Sequence, residues 1–274
     1  MLFNGANTIY NTKLQNAKMV NVPYTALLNT TLNEKFSIEV INSTGTLDKY
    51  PELNLITIGC NVTELTNTSD ITRINLTRSR HSPLDAALFN HVPFYLRTVA
   101  DSVTNPPSKN LRLKKTITIN NTTYIAYYGY KLTDIQYKDD ILLYNGIKDE
   151  YVNVSKLDTN SSALLNPSPK PVTQLDIDRD VTYVTDFLKM YVYFTKDEVT
   201  EINNAMSTLY GTIYKISEIG VCNSIDMTLN DGTEEQVAVQ IAYFMDVDID
   251  TTTVNTDGSI NFYLDVGGME VLVV

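Results

Sequence analysis

The chain has 274 residues, enough to bury a sizeable core in one large domain or two smaller ones. Its 21 basic and 32 acidic side chains give a net charge of −11, and apart from Arg73, Arg78, Arg80 and the Arg112 to Lys115 cluster the bases are scattered. Counterion release needs a concentrated positive surface, so nucleic acid is not an expected partner.

Two cysteines, Cys60 and Cys222, are too few for a disulfide framework; buried thiols are the simpler expectation and a single long-range bridge the alternative. The stretch from Met1 to Asn7 has neither a charged leader nor an apolar run, and no segment has the length of a membrane-spanning helix. The expectation is a soluble chain made in a cytoplasm, with no membrane partner. Nine Asn-x-Ser/Thr triplets, the first at Asn29 and the last at Asn160, follow from an Asn- and Thr-rich composition without any need for glycosylation.

In chain order, residues 1–25 are polar and read as an N-terminal arm. Phe36 to Ile41 and Leu53 to Gly59 alternate as strands, separated by a Ser43 to Gly45 turn. Ser82-Pro83-Leu84-Asp85 has a capping serine, a proline at the first helical position and an early acid, which predicts a helix over about 83–92 that ends before Pro93. Phe94 to Arg97 is a short apolar piece, and Asn105 to Ser108 a loop. Lys115 to Asn120 and Tyr124 to Lys131, joined at Asn120-Asn121, form an aromatic β-hairpin; Ile141 to Tyr144 and Tyr151 to Val154 suggest a second. Pro167, Pro169 and Pro171 favour extended geometry, so a linker is expected over 161–173.

Val181 to Phe187 and Met190 to Phe194 then read as strands. Thr195 to Glu198 is a capping box, Val199, Ile202, Met206, Leu209 and Tyr210 make one apolar stripe, and Gly211 closes the helix over 196–210. Ser217 and Glu218 interrupt the next segment, Ile213 to Cys222, which therefore reads as two short strands or a bulged one. Asn230-Asp231-Gly232 turns the chain into a run in which Val237, Val239, Ile241, Tyr243, Met245, Val247 and Ile249 share a face. Asn255 to Gly258 is another turn, Ile260 to Val266 a further strand, and Met269 to Val274 a closing edge. The class is α+β and β-rich, with antiparallel sheets and two main helices at about 83–92 and 196–210. The expected division is an arm at 1–25, a β-rich domain with one helix at 26–160, the linker at 161–173 and an α+β domain at 174–274.

Candidate chemistry is sparse. Asp246, Asp248 and Asp250 gather carboxylates at alternate positions, as do Asp176, Asp178 and Asp180, but the glycine and glutamate that an EF-hand calcium loop needs are replaced by Thr251 and Asp257 in one case and Val181 and Phe187 in the other. A charge-protected strand is the simpler reading. His81 and His91 lack the spacing of a zinc or triad motif, and Gly267-Gly268 lacks the helix a phosphate loop requires. The 18 tyrosines, with no tryptophan, suit half-buried sheet positions better than a sugar-binding platform. No catalytic, cofactor or metal residue is assigned. Asp246 and Asp248 would be the carboxylate pair if the chain were a glycan hydrolase.

Three stretches carry a resemblance: Leu55 to Gly59; His81 to Arg97 with Tyr124 to Tyr128; and Tyr214 to Cys222. Together they resemble virion structural proteins of large tailed bacteriophages, and their order is similar to the N-terminal attachment modules of tail fibres and baseplate components. Cys60-Asn-Val-Thr63 stands where a glycine-rich continuation would be expected. The resemblance implies a structural component of the virion, a tail, baseplate or neck subunit that mediates assembly or fibre attachment, with other virion proteins and copies of itself as partners and no enzyme activity or cofactor. A receptor- or glycan-binding module of a phage tail is the alternative, and a glycan hydrolase the second.

Overall fold

The computed structural model describes residues 5–27, 30, 32–33, 46–60, 81–133, 135–144, 151–154, 184–211, 215–228, 232–266 and 269–270. Phe36 to Gly45, the 161–173 linker, Asp176 to Asp180, Gly267-Gly268 and the turn residues 145–146 and 230–231 lie outside them. The chain forms two compact units, residues 1–133 with 193–261 and residues 134–192 with 262–274. This differs from the expected boundary at 161–173, because strands from beyond that point pair with strands from the first third of the chain.

In the first unit β1 (Gly5–Asn7) runs through Thr8 into α1 (Ile9–Met19), followed by the short pair β2 (Ala26–Leu27) and β3 (Thr46–Leu47). The expected arm is thus folded onto its own chain. Next come β4 (Glu52–Gly59), β5 (His91–Val92), β6 (Tyr95–Thr98), a short α2 (Val99–Thr104), β7 (Leu111–Ile119) and β8 (Thr122–Lys131). The second unit holds β9 (Ile135–Tyr144), β10 (Tyr151–Val154) and most of β11 (Val184–Phe194). The chain then returns to the first unit for α3 (Lys196–Tyr210), β12 (Lys215–Thr228) and β13 (Glu234–Asp250), and closes with β14 (Ile260–Val266) and β15 (Met269–Glu270). The class is the expected one, α+β and β-rich, with antiparallel sheets and, among the described residues, three helices.

The first unit is built on an eight-stranded sheet in the order β1-β13-β12-β4-β8-β6, with β5 also on β4 and β7 also on β8. Its centre is the β12–β13 hairpin, and β12 is buried from Glu218 to Ile225, as a strand covered on both faces must be. β13 is the longer partner. Its pairing with β12 slips between Ile216 and Glu218, between Val221 and Cys222, and between Asn223 and Ile225, each time leaving an extra residue on β13. Every such bulge turns the following side chains to the other face, so the unbroken alternation expected from Val237 to Ile249 is replaced by a run buried from Glu235 to Val239. Ala238 sits in one bulge with φ of 54°.

The outer rim of β13 is closed by more than β1. Thr8 donates its amide to Ala242 O at 2.9 Å and its hydroxyl to Ile241 O at 2.7 Å; Asn33 Oδ1 accepts the Val239 amide at 2.8 Å, and the Thr30 hydroxyl bonds Val239 O.

The helix at 196–210 is present with the expected caps. The Thr195 hydroxyl accepts from the Glu198 amide, the Glu198 carboxylate accepts from the Thr195 amide, and Gly211 takes φ of 83°. The β7–β8 hairpin is also present, with Asn120 and Asn121 at φ of 48° and 63°, the left-handed pair of a type I′ turn.

The helix expected at 83–92 is absent. Residues 81–90 form turns, and His91–Val92 pair with β4 as β5. The cause lies in the acceptors: the Leu88 amide donates to His91 Nε2 at 3.1 Å, and the Phe89 and Asn90 amides donate to the Glu218 carboxylate at 3.3 and 3.1 Å. Those three amides are the ones a helix would have turned toward Leu84, Asp85 and Ala86.

The second unit is a five-stranded antiparallel sheet in the order β10-β9-β11-β14 with β15 on β11. The two strands expected at 181–187 and 190–194 are one strand over the described residues, with a register shift between Thr185 and Phe187. Met190, Val192 and Leu264 are buried there, and the Tyr191 and Tyr263 rings lie 5.1 Å apart.

Candidate functional site

Among the described residues, a cluster of acid–base groups lies where the 81–92 turn crosses β4 and β12. Glu218 on β12 is 2% exposed, and its carboxylate meets His81 Nε2 at 2.8 Å in addition to the Phe89 and Asn90 amides. His81 Nδ1 lies 3.1 Å from Asp85 Oδ2, which also accepts the Ser82 amide at 2.8 Å. Both ring nitrogens are thus committed to carboxylate oxygens of the same chain. The ring is stacked between Phe89 at 4.1 Å and Phe244 at 3.9 Å, and the His81 side chain is 3% exposed.

Close approach is enforced from β4. Gly59 stands opposite Glu218 in the strand register, and a Cβ there would lie 2.7 Å from the Asn90 carbonyl oxygen and closer still to the Glu218 carboxylate. Cys60 follows, its amide bonded to that same Asn90 oxygen at 3.0 Å; burial, then the Glu218 charge, push its thiol up to about 11. Tyr210 at the end of α3 donates its hydroxyl to His91 O at 2.9 Å, and burial pushes that phenol up to about 12. Arg97 on β6 makes a bidentate pair with Glu201 on α3.

A second buried carboxylate repeats the device. Glu235 on β13, 7% exposed, accepts the Leu113 amide at 3.0 Å and the Gln236 amide at 2.9 Å. Leu113 is held at φ of 58°, a left-handed conformation that is uncommon for a bulky side chain. Beside it Arg112 pairs with Glu234 at 2.9 Å and donates to Lys109 O and Leu111 O.

These groups are arranged to hold. Both faces of His81 are covered by rings and both nitrogens by carboxylates of the same chain, so a substrate atom has no approach to the imidazole. Among the described residues no group of three or more His, Cys, Asp or Glu side chains could hold a metal ion, and no helix is long and apolar enough to cross a membrane.

The candidate residues fall in different places. Asp248 pairs with Lys215 at 3.1 Å, and Asp250 caps the following turn through the Thr252 amide and hydroxyl at 2.8 and 2.6 Å, hydrogen bonds that hold its carboxyl below the usual range. Asp246 is half-buried opposite Glu218. His81 and His91 belong to the same turn; His91 accepts from Leu88 and stacks edge-on to Tyr128 at 6.4 Å. Cys60 and Cys222 are both free, buried thiols, with Cys222 pushed by burial up to about 12. Tyr95, Tyr128 and Tyr130 are buried, as expected of sheet tyrosines.

Sequence reasoning passed over Glu218 and Glu235 as site residues. For Glu218 the available signal is an acid inside an apolar strand; Glu235, between Glu234 and Gln236, carries none. Leu55 to Gly59, the 81–97 segment and Lys215 to Cys222 meet here, supplying Gly59, His81 and Glu218.

Fold and site together define a β-rich α+β protein whose buried carboxylates clamp a turn and a kinked strand onto a central hairpin. The chain belongs to DUF7208, a family of unknown function whose model matches residues 4–274. No curated protein and no solved structure matches it.

Proposed function

We propose that the chain is a structural assembly subunit that docks on other proteins and on copies of itself and carries out no reaction of its own. Its place in this proposal is the virion of a tailed bacteriophage, in the tail, baseplate or fibre junction. The observation that carries the reading is the closure of the His81 cluster: the groups best suited to proton transfer are sealed between Phe89 and Phe244 and committed to holding the 81–92 turn. The same turn holds Leu84 and Phe89 partly exposed, and outward apolar side chains on a fixed support suit docking. The resemblance in the three stretches supports the phage setting.

The test is mass spectrometry of purified tail particles after infection of the host, with co-sedimentation of the chain. The expected result is a stoichiometric component that stays with the particle. Recovery of the chain only as a free monomer overturns the proposal.

A further inference from the structure

We propose that the outer face of α1 docks on the acidic turn 250–258 of a second copy of this chain, which rests on the assembly reading above and names one partner within it. An ordinary surface helix turns its apolar stripe inward. Here Asn11 and Leu14 face the sheet, and Asn11 is held there by hydrogen bonds from its amide nitrogen to Asn7 at 2.9 Å and from Asn223 to its oxygen at 3.0 Å. On the opposite side Ile9, Lys13, Asn16 and Val20 follow at spacings of four, three and four, with Ile9 50% and Val20 68% exposed and Met19 beside them at 82%.

The charge of this face selects the partner. α1 carries Lys13 and Lys18 and no acid, in a chain of net charge −11. Lys18 donates to Pro51 O at 3.0 Å, which leaves Lys13 as the cation of the outer stripe. The turn after β13 offers the complementary chemistry: Val254 is exposed between Asp250 and Asp257, with no base from 250 to 258. Two bases lie near it. Lys215 is paired with Asp248, and Lys196 lays its stem along Gly258. Hydrogen bonds from Ser259 hold the Asp257 carboxyl below the usual range, as those from Thr252 do for Asp250, so both remain charged receivers for Lys13. Because α1 meets a different surface on the next copy, the contact is head-to-tail and propagates as a ring or an open chain, which suits a subunit of a symmetric particle.

The test is sedimentation velocity of the full chain over a concentration series at low and high salt. The expected result is self-association that weakens with salt, loss of it in the K13E/V20E double variant and in D257K, and its return when K13E and D257K are combined. All substituted positions are exposed, and unchanged circular dichroism verifies that the variants are folded. A wild-type chain that is monomeric at every concentration up to its solubility limit overturns the proposal, as does association by K13E/V20E at wild-type strength. A chain found in particles yet monomeric in this experiment overturns this contact alone, whereas self-association by a chain absent from particles overturns the virion reading alone.

Discussion

Gly59 faces Glu218 across β4 and β12, and the space a side chain would need at Gly59 is already filled by the Glu218 carboxylate and the Asn90 carbonyl. Because one of those neighbours is backbone, a Gly59→Ala chain must shift the 81–92 turn. Overpacking of this kind costs about 1–3 kcal/mol, which a urea titration reads as a lower midpoint at unchanged slope. A midpoint equal to wild type would mean that the turn yields freely.

His81 and Glu218 are expected to be energetically coupled. Removing one partner of a buried hydrogen bond leaves the other unsatisfied, at a cost of about 1–3 kcal/mol. A double-mutant cycle with His81→Leu and Glu218→Gln should therefore return a coupling energy of about 1–3 kcal/mol, with the double variant less damaged than the sum of the singles. Additive losses would show that the hydrogen bond contributes nothing beyond packing.

Glu235 sets a slope in the dependence of stability on pH. Burial raises its carboxyl above the ordinary 4.5, with hydrogen bonds from the Leu113, Gln236 and Lys114 amides opposing. A value higher in the folded than in the unfolded chain means the native state holds the proton longer. The corresponding stabilisation is complete below pH 4.5 and is lost as pH rises through the folded value. Asp226 acts oppositely: burial alone would raise it, but hydrogen bonds from Lys131 and Gln236 outweigh that and hold it below 3.8, so its stabilisation is present above pH 3.8 and is lost as pH falls through the folded value. Glu235→Gln should flatten the decline on the upper side and leave the acid limb intact, as read from urea midpoints across a pH series.

The two thiols define an alkaline limit. Cys60 and Cys222 are raised from 9.0 to about 11 and about 12, mainly by burial. Their contribution is complete below pH 9.0 and disappears as pH rises through those folded values. At neutral pH both should resist a thiol-specific reagent such as DTNB in the native chain and react together once urea unfolds it. Rapid labelling of either in the native state would contradict their burial.

Thr195→Ala removes the hydroxyl half of the capping box and should cost about 1 kcal/mol, with Thr195→Ser close to wild type. Thermal midpoints of the two variants check this.

The elements legible in the sequence were those specified by neighbouring residues. The α3 caps, the Asn120-Asn121 turn and the stripe from Val199 to Met206 follow from local chemistry and are present. The 83–92 segment carries equally good local signals, yet its amides are claimed by Glu218, well over a hundred residues away in the chain. No local pattern encodes that competition. α1 is not legible in the sequence for a related reason, since its weakly amphipathic stretch is stabilised by pairing of β1 with β13 and by Asn11 with Asn223. The bulges of β13 were hidden because a regular alternation of apolar residues says nothing of where a partner strand falls out of step. The clamp itself is half visible in the sequence: His81, Asp85 and the intrusive Glu218 stand out there, but their meeting depends on the sheet order.

Thr8, Thr30 and Asn33 occupy the rim of β13 without being part of any ladder there. They act as stoppers, giving the Val239 amide and the Val239, Ile241 and Ala242 carbonyls private partners. Without these residues and β1 the rim of β13 would present unpaired backbone groups, the kind of edge on which another strand can pair. The amino-terminal residues thus cover the rim of β13 with β1 and with three small polar side chains beyond it.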